Sequence, residues 1–168
     1  IELWVRSGDS TGDFQILVGR GETDFFWNIS ILPSQAVRFT MHDRTQDIVL
    51  ESNKKVSAAG SALGSRWHHI AVTRNGTSGL TQLFMDGLRE GHVTKVLRGV
   101  LSSDVTPLVI GWSGDANNAL RFNGSLDEVA ICNRVLAPQE IRSHYYLARH
   151  YCKSFDTPVG IMPIGDSI

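Results

Sequence analysis

The last ten residues, "VGIMPIGDSI" at 159–168, carry the tripeptide with the plainest claim to covalent chemistry, Gly165-Asp166-Ser167 behind a short apolar run. A serine hydroxyl attacks a carbonyl only when a base takes its proton and donors hold the oxyanion that follows. Ser167 is followed by a single residue, and no HExxH, GxSxG or phosphate-loop motif stands elsewhere. With no visible base for Ser167, the chain as given reads as non-catalytic.

The remaining chemistry is of the kind that binds. In "IGWSGDANNALRFNG", residues 110–124, Trp112 lies close to Asp115, Asn117 and Asn118. A sugar site needs an aromatic face for the C–H side of the ring and planar amide or carboxylate groups for its hydroxyls, and this loop has both. The alternative is that Trp112 caps the core and the asparagines only turn the chain. Phe25, Phe26 and Trp27 form a second aromatic cluster, and in a strand at least one of the three must face away from the core.

Asp127, in "SLDEVAIC", shares parity with Val129 and Ile131 and is therefore expected on the core side, where a bare carboxylate is costly. Structural Ca²⁺ completed by loop carbonyls would satisfy it, and so would backbone N–H groups at a tight turn. His68 and His69 are adjacent, so a strand points them to opposite faces and they cannot easily share one metal; they read as structural, as Trp4 and Trp67 read as core. Cys132 and Cys152 match no metal spacing and are either one disulfide or two free thiols.

Residue totals narrow the classes of partner. The chain has 168 residues, enough for one domain with its own core, and 16 basic against 17 acidic residues. No basic run tracks a phosphate backbone, which argues against nucleic acid, and no apolar run approaches the ~20 residues of a membrane span. Sequons at Asn28, Asn75 and Asn123 would matter in a secreted or cell-surface protein.

The elements that must position these groups have a period of two. "VRFTMHD" sets Val37, Phe39 and Met41 against Arg38, Thr40 and His42, and the same alternation recurs in "IELWV", "FQILVG", "FWNISIL", "DIVLES", "WHHIAVTR", "TQLFMDG", "PLVIGW" and "SLDEVAIC". Asn75-Gly76 and Asp86-Gly87 are hairpin turns. Many short strands with polar turns predict an all-β antiparallel sandwich. One segment departs: Pro138 suits a first helical position, and Ile141, Tyr145 and Ala148 form the stripe of a single C-terminal helix that should pack near the last strand.

Three stretches read together, "SRWHHIAVTRNG" at 65–76, "LFMDGLREG" at 83–91 and "LRFNGSLDEVAICNRVLAPQEIRSHY" at 120–145, resemble the concanavalin A-like, laminin G-like domain family. With "IELWVRS" and "GDFQILVGRG" the resemblance covers about residues 1–150, although the family's usual earlier strand with a Phe-Asp-Gly-like stretch is not present. It implies a two-sheet jelly roll, bound structural calcium in some members, and a non-catalytic module for glycans or proteins. Glycosidases share the architecture, but the Glu-x-Asp-x-x-Glu spacing of sandwich glycosidases does not occur in these strands. "IMPIGDSI" resembles the first block of SGNH, or GDSL-type, hydrolases, which makes Ser167 the implied nucleophile of a following domain. The expected organisation is a laminin G-like module at 1–150, a linker at 151–160 and the start of a hydrolase domain at 161–168. The expected role is a secreted glycan-binding module accessory to that esterase, with a protein-interaction or adhesion module as the alternative.

Overall fold

Alternating apolar and polar residues become the two faces of a strand, and β4 (Ala36–Asp43) does this plainly: Val37, Phe39 and Met41 are buried while Arg38, Thr40 and His42 stay half-exposed. In the computed structural model, which describes residues 1–8, 14–22, 25–56, 66–97, 106–112 and 120–153, ten strands precede one helix. The other strands are β1 (Glu2–Ser7), β2 (Gln15–Glu22), β3 (Phe25–Ile31), β5 (Asp47–Lys55), β6 (His68–Arg74), β7 (Leu80–Met85), β8 (Leu88–Thr94), β9 (Val109–Ile110) and β10 (Gly124–Ala130). They form two five-stranded sheets, ordered β10-β1-β6-β7-β8 and β5-β4-β3-β2-β9, with antiparallel neighbours throughout.

The inner faces meet in one core. Leu3, Val5, Ile70, Val72, Leu83 and Met85 from the first sheet pack on Leu17, Ile29, Ile31, Val37, Phe39 and Ile48 from the second. The expected sandwich is therefore the observed one. Strand β8 was not anticipated by alternation, because it is an edge strand whose only large apolar residues are Leu88 and Val93. Its signal lay in the Asp86-Gly87 pair, which sits at φ 54° and 74° between the paired residues Met85 and Leu88. That two-residue turn demands a returning strand.

Helix α1 (Pro138–Lys153) begins where Pro138 allows, and Glu140 closes the first turn by accepting the Ala137 N–H at 2.7 Å. The hydrogen bonds from Arg134 and then Ala137 hold the Glu140 carboxyl down to about 2. The helix continues through the first three residues of the segment expected as a linker.

Its apolar stripe lies on the outer face of the first sheet. Ile141 and Leu136 pack with Ala71 and Phe84, and Tyr145 stacks on Trp4 with centroids 5.8 Å apart and planes 18° apart. Trp4 is buried as expected, but under the helix rather than between the sheets, and Trp67 is only half-buried, beneath the Arg6 guanidinium at 5.1 Å. Beside that stack, Glu2 accepts from His144 Nδ1 at 3.0 and 3.2 Å and faces His69 Nε2 at 3.5 Å. Gly87 completes the contact from the turn side, since a Cβ there would lie 3.1 Å from Tyr145 Cδ1 while φ is positive.

Two expected outcomes test this docking. Burial works to raise the Glu2 pKa, but hydrogen bonds and charge from His69 and His144 outweigh it and leave the carboxyl below its ordinary value. Such a group adds stability that is whole above the unfolded pKa and lost as pH falls through the lower folded one. Melting temperature should therefore drop on acidification below about pH 4.5, and Glu2→Gln should flatten part of that drop while costing about 2 kcal/mol at neutral pH. Asp86 has the same sign, burial being outweighed by His68, and keeps a residual slope in the variant. Gly87→Ala should cost about 1–2 kcal/mol in denaturant titration, because both the left-handed backbone and Tyr145 resist a side chain.

Candidate functional site

With one outer face under α1, the outer face of the second sheet is the broad polar surface of the described fold. Strand register arranges it in three rows. The first runs Gly21–Phe26–His42–Asp47, the second Gly19–Asn28–Thr40–Val49, and the third Ile16–Ser30–Arg38–Glu51.

In the first row Phe26 stacks on His42, centroids 5.5 Å apart and planes 24° apart, and His42 Nδ1 donates to Asp47 Oδ1 at 2.6 Å. In the third, Arg38 donates Nε and Nη2 to Glu51 Oε1 at 2.9 and 2.6 Å. The row between them is low at its Gly19 end, while Val49 at the other end is 48% exposed. Gly19 has no side chain, and a Cβ there would stand 3.0 Å from the Asn28 Cβ. Asn28 Oδ1 is buried with no hydrogen-bond partner among the described residues. The result is a shallow trough, flanked by an aromatic pair on one side and an ion pair on the other, with an unused acceptor in its floor.

Of the residues singled out from sequence, Phe26 lies on this surface and Trp112 stands at its edge. It follows β9, the edge strand of the same sheet, and is 36% exposed, so it does not cap the core. Gly111, at φ 79°, anchors it by donating its N–H to Leu17 O at 2.8 Å and accepting from the Phe122 N–H at 2.8 Å. Asp115, Asn117 and Asn118 lie outside the described residues, as do Ser167 and the expected hydrolase start at 161–168.

Asp127 is not on the core side. Trp4 pairs with Asp127 and Glu2 with Ala130, so Glu128 and Val129 together oppose Leu3, and Glu128 sits at φ 48°. This β-bulge inserts one residue and reverses the parity that simple alternation predicts. Leu126 and Val129 both pack on the core, while Asp127 is exposed and its Oδ1 accepts the Glu128 N–H at 2.8 Å. The physical motive for calcium there is gone. Among the described residues no group of three or more His, Cys, Asp or Glu could hold a metal.

Cys132 is exposed with a free thiol, and the Cys152 side chain, the other half of the disulfide-or-two-thiols alternative, lies outside the described residues. His68 and His69 are both buried and point to different partners, His68 Nδ1 to Asp86 at 3.0 Å and His69 to Glu2, as structural histidines. Among the described residues the carboxylates of the open face, Asp47 and Glu51, stand four residues apart on one strand, roughly 13 Å at strand rise, Glu51 ion-paired with Arg38 and Asp47 hydrogen-bonded to His42. That is beyond the separation two glycosidase carboxylates need.

A family model described as the concanavalin A-like lectin/glucanases superfamily, Laminin_G_3, matches residues 1–142. The chain belongs to this family. Among relatives, neuronal pentraxin-2 of Cavia porcellus is 32% identical over 149 residues, covering 83% of this chain and 32% of that protein. The sushi, von Willebrand factor type A, EGF and pentraxin domain-containing protein 1 of Rattus norvegicus is 28% identical over 57% of this chain and 3% of its own length. The chain thus spans at most a third of the curated relatives it matches. In fold it is similar to the CBM40 of the Ruminococcus gnavus IT-sialidase bound to α2,6-sialyllactose, with TM-score 0.67, 15% identity, and coverage of 84% of this chain and 79% of that one. The binding domain of Paraclostridial Mosquitocidal Protein 1 aligns with TM-score 0.66 and 22% identity over 88% of this chain and 36% of that one.

Because Asp127 is exposed and already bonded, Asp127→Ala should change stability by no more than about 0.5 kcal/mol. Melting curves of both proteins in calcium and in chelator check this. A calcium-dependent rise in melting temperature that the variant loses would restore the metal site.

Proposed function

We propose that this domain is a non-catalytic glycan-binding module whose contact surface is the trough of the second sheet, extended at its edge by Trp112. The observation that carries the reading is the pairing of an aromatic platform, Phe26 on His42, with a side-chain-free lane at Gly19 and an unsatisfied Asn28 acceptor. A sugar offers a C–H face to the first and lies along the second, and turning the Asn28 amide outward would give its oxygen a hydroxyl donor. The flanking Arg38–Glu51 pair is internally neutral and Asp47 is engaged by His42, so the surface selects by shape and hydroxyl pattern.

Support comes from membership in a lectin-containing superfamily and from fold likeness to a carbohydrate-binding module. The same reading makes the domain extracellular or cell-surface. No described helix is long and apolar enough to cross a membrane. It also makes the domain accessory to an SGNH-type esterase, in which Ser167 is the nucleophile and the module raises the esterase's local concentration on its polymer.

A glycan array with the 168-residue chain, followed by calorimetry with its strongest oligosaccharide, tests the proposal. Phe26→Ala and Trp112→Ala should each weaken binding about tenfold, the equivalent of one aromatic stacking contact, without loss of fold. A blank array would turn the reading to a protein partner, and full affinity in both variants would remove the trough from the site.

A further inference from the structure

A groove of ≈290 Å³ lies between the β7–β8 turn and the start of α1, at the rim of the helix on the outer face of the first sheet. The trough is on the other sheet. Leu88 and Arg89 line the groove from β8, Gln139 and Arg142 from α1, and buried Phe84 from β7 beneath them.

Two backbone features bring two guanidinium groups to this space. Leu83 pairs with Gly91 and Phe84 with Arg89, so a bulge leaves Glu90 out of the pairing and sets Arg89 on the same outer face as Phe84. Gly87, at φ 74°, seats the turn against the helix, and a Cβ there would lie 3.3 Å from the Arg142 Cα. Arg89 follows two residues later, which holds the two arginine Cα atoms within about 12 Å of each other and both side chains within reach of one ligand.

Their charge is unspent. Among the described residues neither guanidinium has a carboxylate partner; Arg142 lies over the Tyr146 ring at 5.5 Å, and Arg89 is exposed. The carboxylates nearest in sequence are committed elsewhere. Glu90 is ion-paired with Lys54 at 3.1 Å and accepts the Asn53 and Lys54 N–H groups at 3.1 Å, Asp86 is held by His68 at 3.0 Å, and Glu140 by the Arg134 fork. Two like charges beside one groove repel, and an oxyanion between them relieves that repulsion while giving each fork an acceptor.

The rest of the lining suits what would carry the oxyanion. Leu88 is 51% exposed and offers an apolar surface to a C–H face, and the Gln139 amide can meet a hydroxyl. The volume is at the small end of ligand sites, room for one sugar ring rather than a peptide segment. We propose that this groove binds one acidic sugar residue, its carboxylate or sulfate between Arg89 and Arg142 and its ring on Leu88.

Titrations of the 168-residue chain, followed through the side-chain Nε–Hε signals of the two arginines, test this. Galacturonate and galactose 6-sulfate should each give saturable shifts at both arginines, and the tighter of the two names the oxyanion. Galactose, which lacks the charge, and acetate and inorganic sulfate, which lack the ring, should each bind at least about tenfold more weakly. Arg89→Ala and Arg142→Ala should each weaken the acidic sugars about tenfold in folded protein, and Arg89→Lys, which keeps the charge and loses the fork, should recover only part of that loss. No saturable shift with either acidic sugar, equal affinity for galactose or for the free anions, or full affinity in either alanine variant would each overturn the proposal. Phe26→Ala should leave these titrations unchanged, so failure here leaves the reading of the trough intact, and the reverse holds as well.

Discussion

The docking of α1 on the first sheet is the constraint from which the rest follows. Trp4 lies flat beneath Tyr145, Glu2 is held by His144 and His69, and Ile141 seats between Ala71 and Phe84. A sandwich of two similar sheets has two outer faces of equal standing. Burying an aromatic ring and a carboxylate beneath a helix on one of them removes that symmetry. The covered face can then afford apolar side chains, and the other must stay soluble and is left to make contacts. Polar rows on β3, β4 and β5 are the consequence, and binding chemistry can be sought on that side with a physical reason.

The docked side also gathers ionisable groups. Glu2, His69 and His68 are buried and Asp86 half-buried on or beside β1, β6 and the turn before β8. Glu2 and Asp86 each have an imidazole partner, which keeps the charge tolerable in a dry setting, whereas buried Asp43 on β4 is held by Thr45 and Gln46. On the open sheet the ion pairs are half-exposed, and their role is to shape a surface. Adjacent histidines that invite a metal reading are accordingly part of the scaffold, and the histidine of the proposed contact surface is His42.

Much of this was legible in the sequence. Period-two alternation assigns β4 its two faces, and Pro138 with the Ile141–Tyr145 stripe predicts the helix and its buried side. Alternation failed where the backbone departs from it. Glu128, at positive φ, adds a residue to β10 and turns Asp127 outward, and no residue type near it announces a bulge. It failed again at β8, whose edge position leaves few apolar residues to alternate. Part of the candidate site was readable, since one member of the Phe25–Trp27 cluster had to face away from the core, and that residue is Phe26. Its partners were not, because the rows that bring Phe26, His42 and Asp47 together are set by the registers of two hairpins, and pairing across strands is invisible to a pattern read along one.

Amide chemical-shift mapping during titration with the oligosaccharide that an array ranks first is the most direct measurement of the central claim. Shifts should cluster on outer-face residues of β3 and β4, Asn28 and Thr40 among them, and at Trp112, while Glu2, His69 and Ala71 beneath the helix stay still. Shifts centred on α1 and the first sheet, with the open face silent, would contradict it.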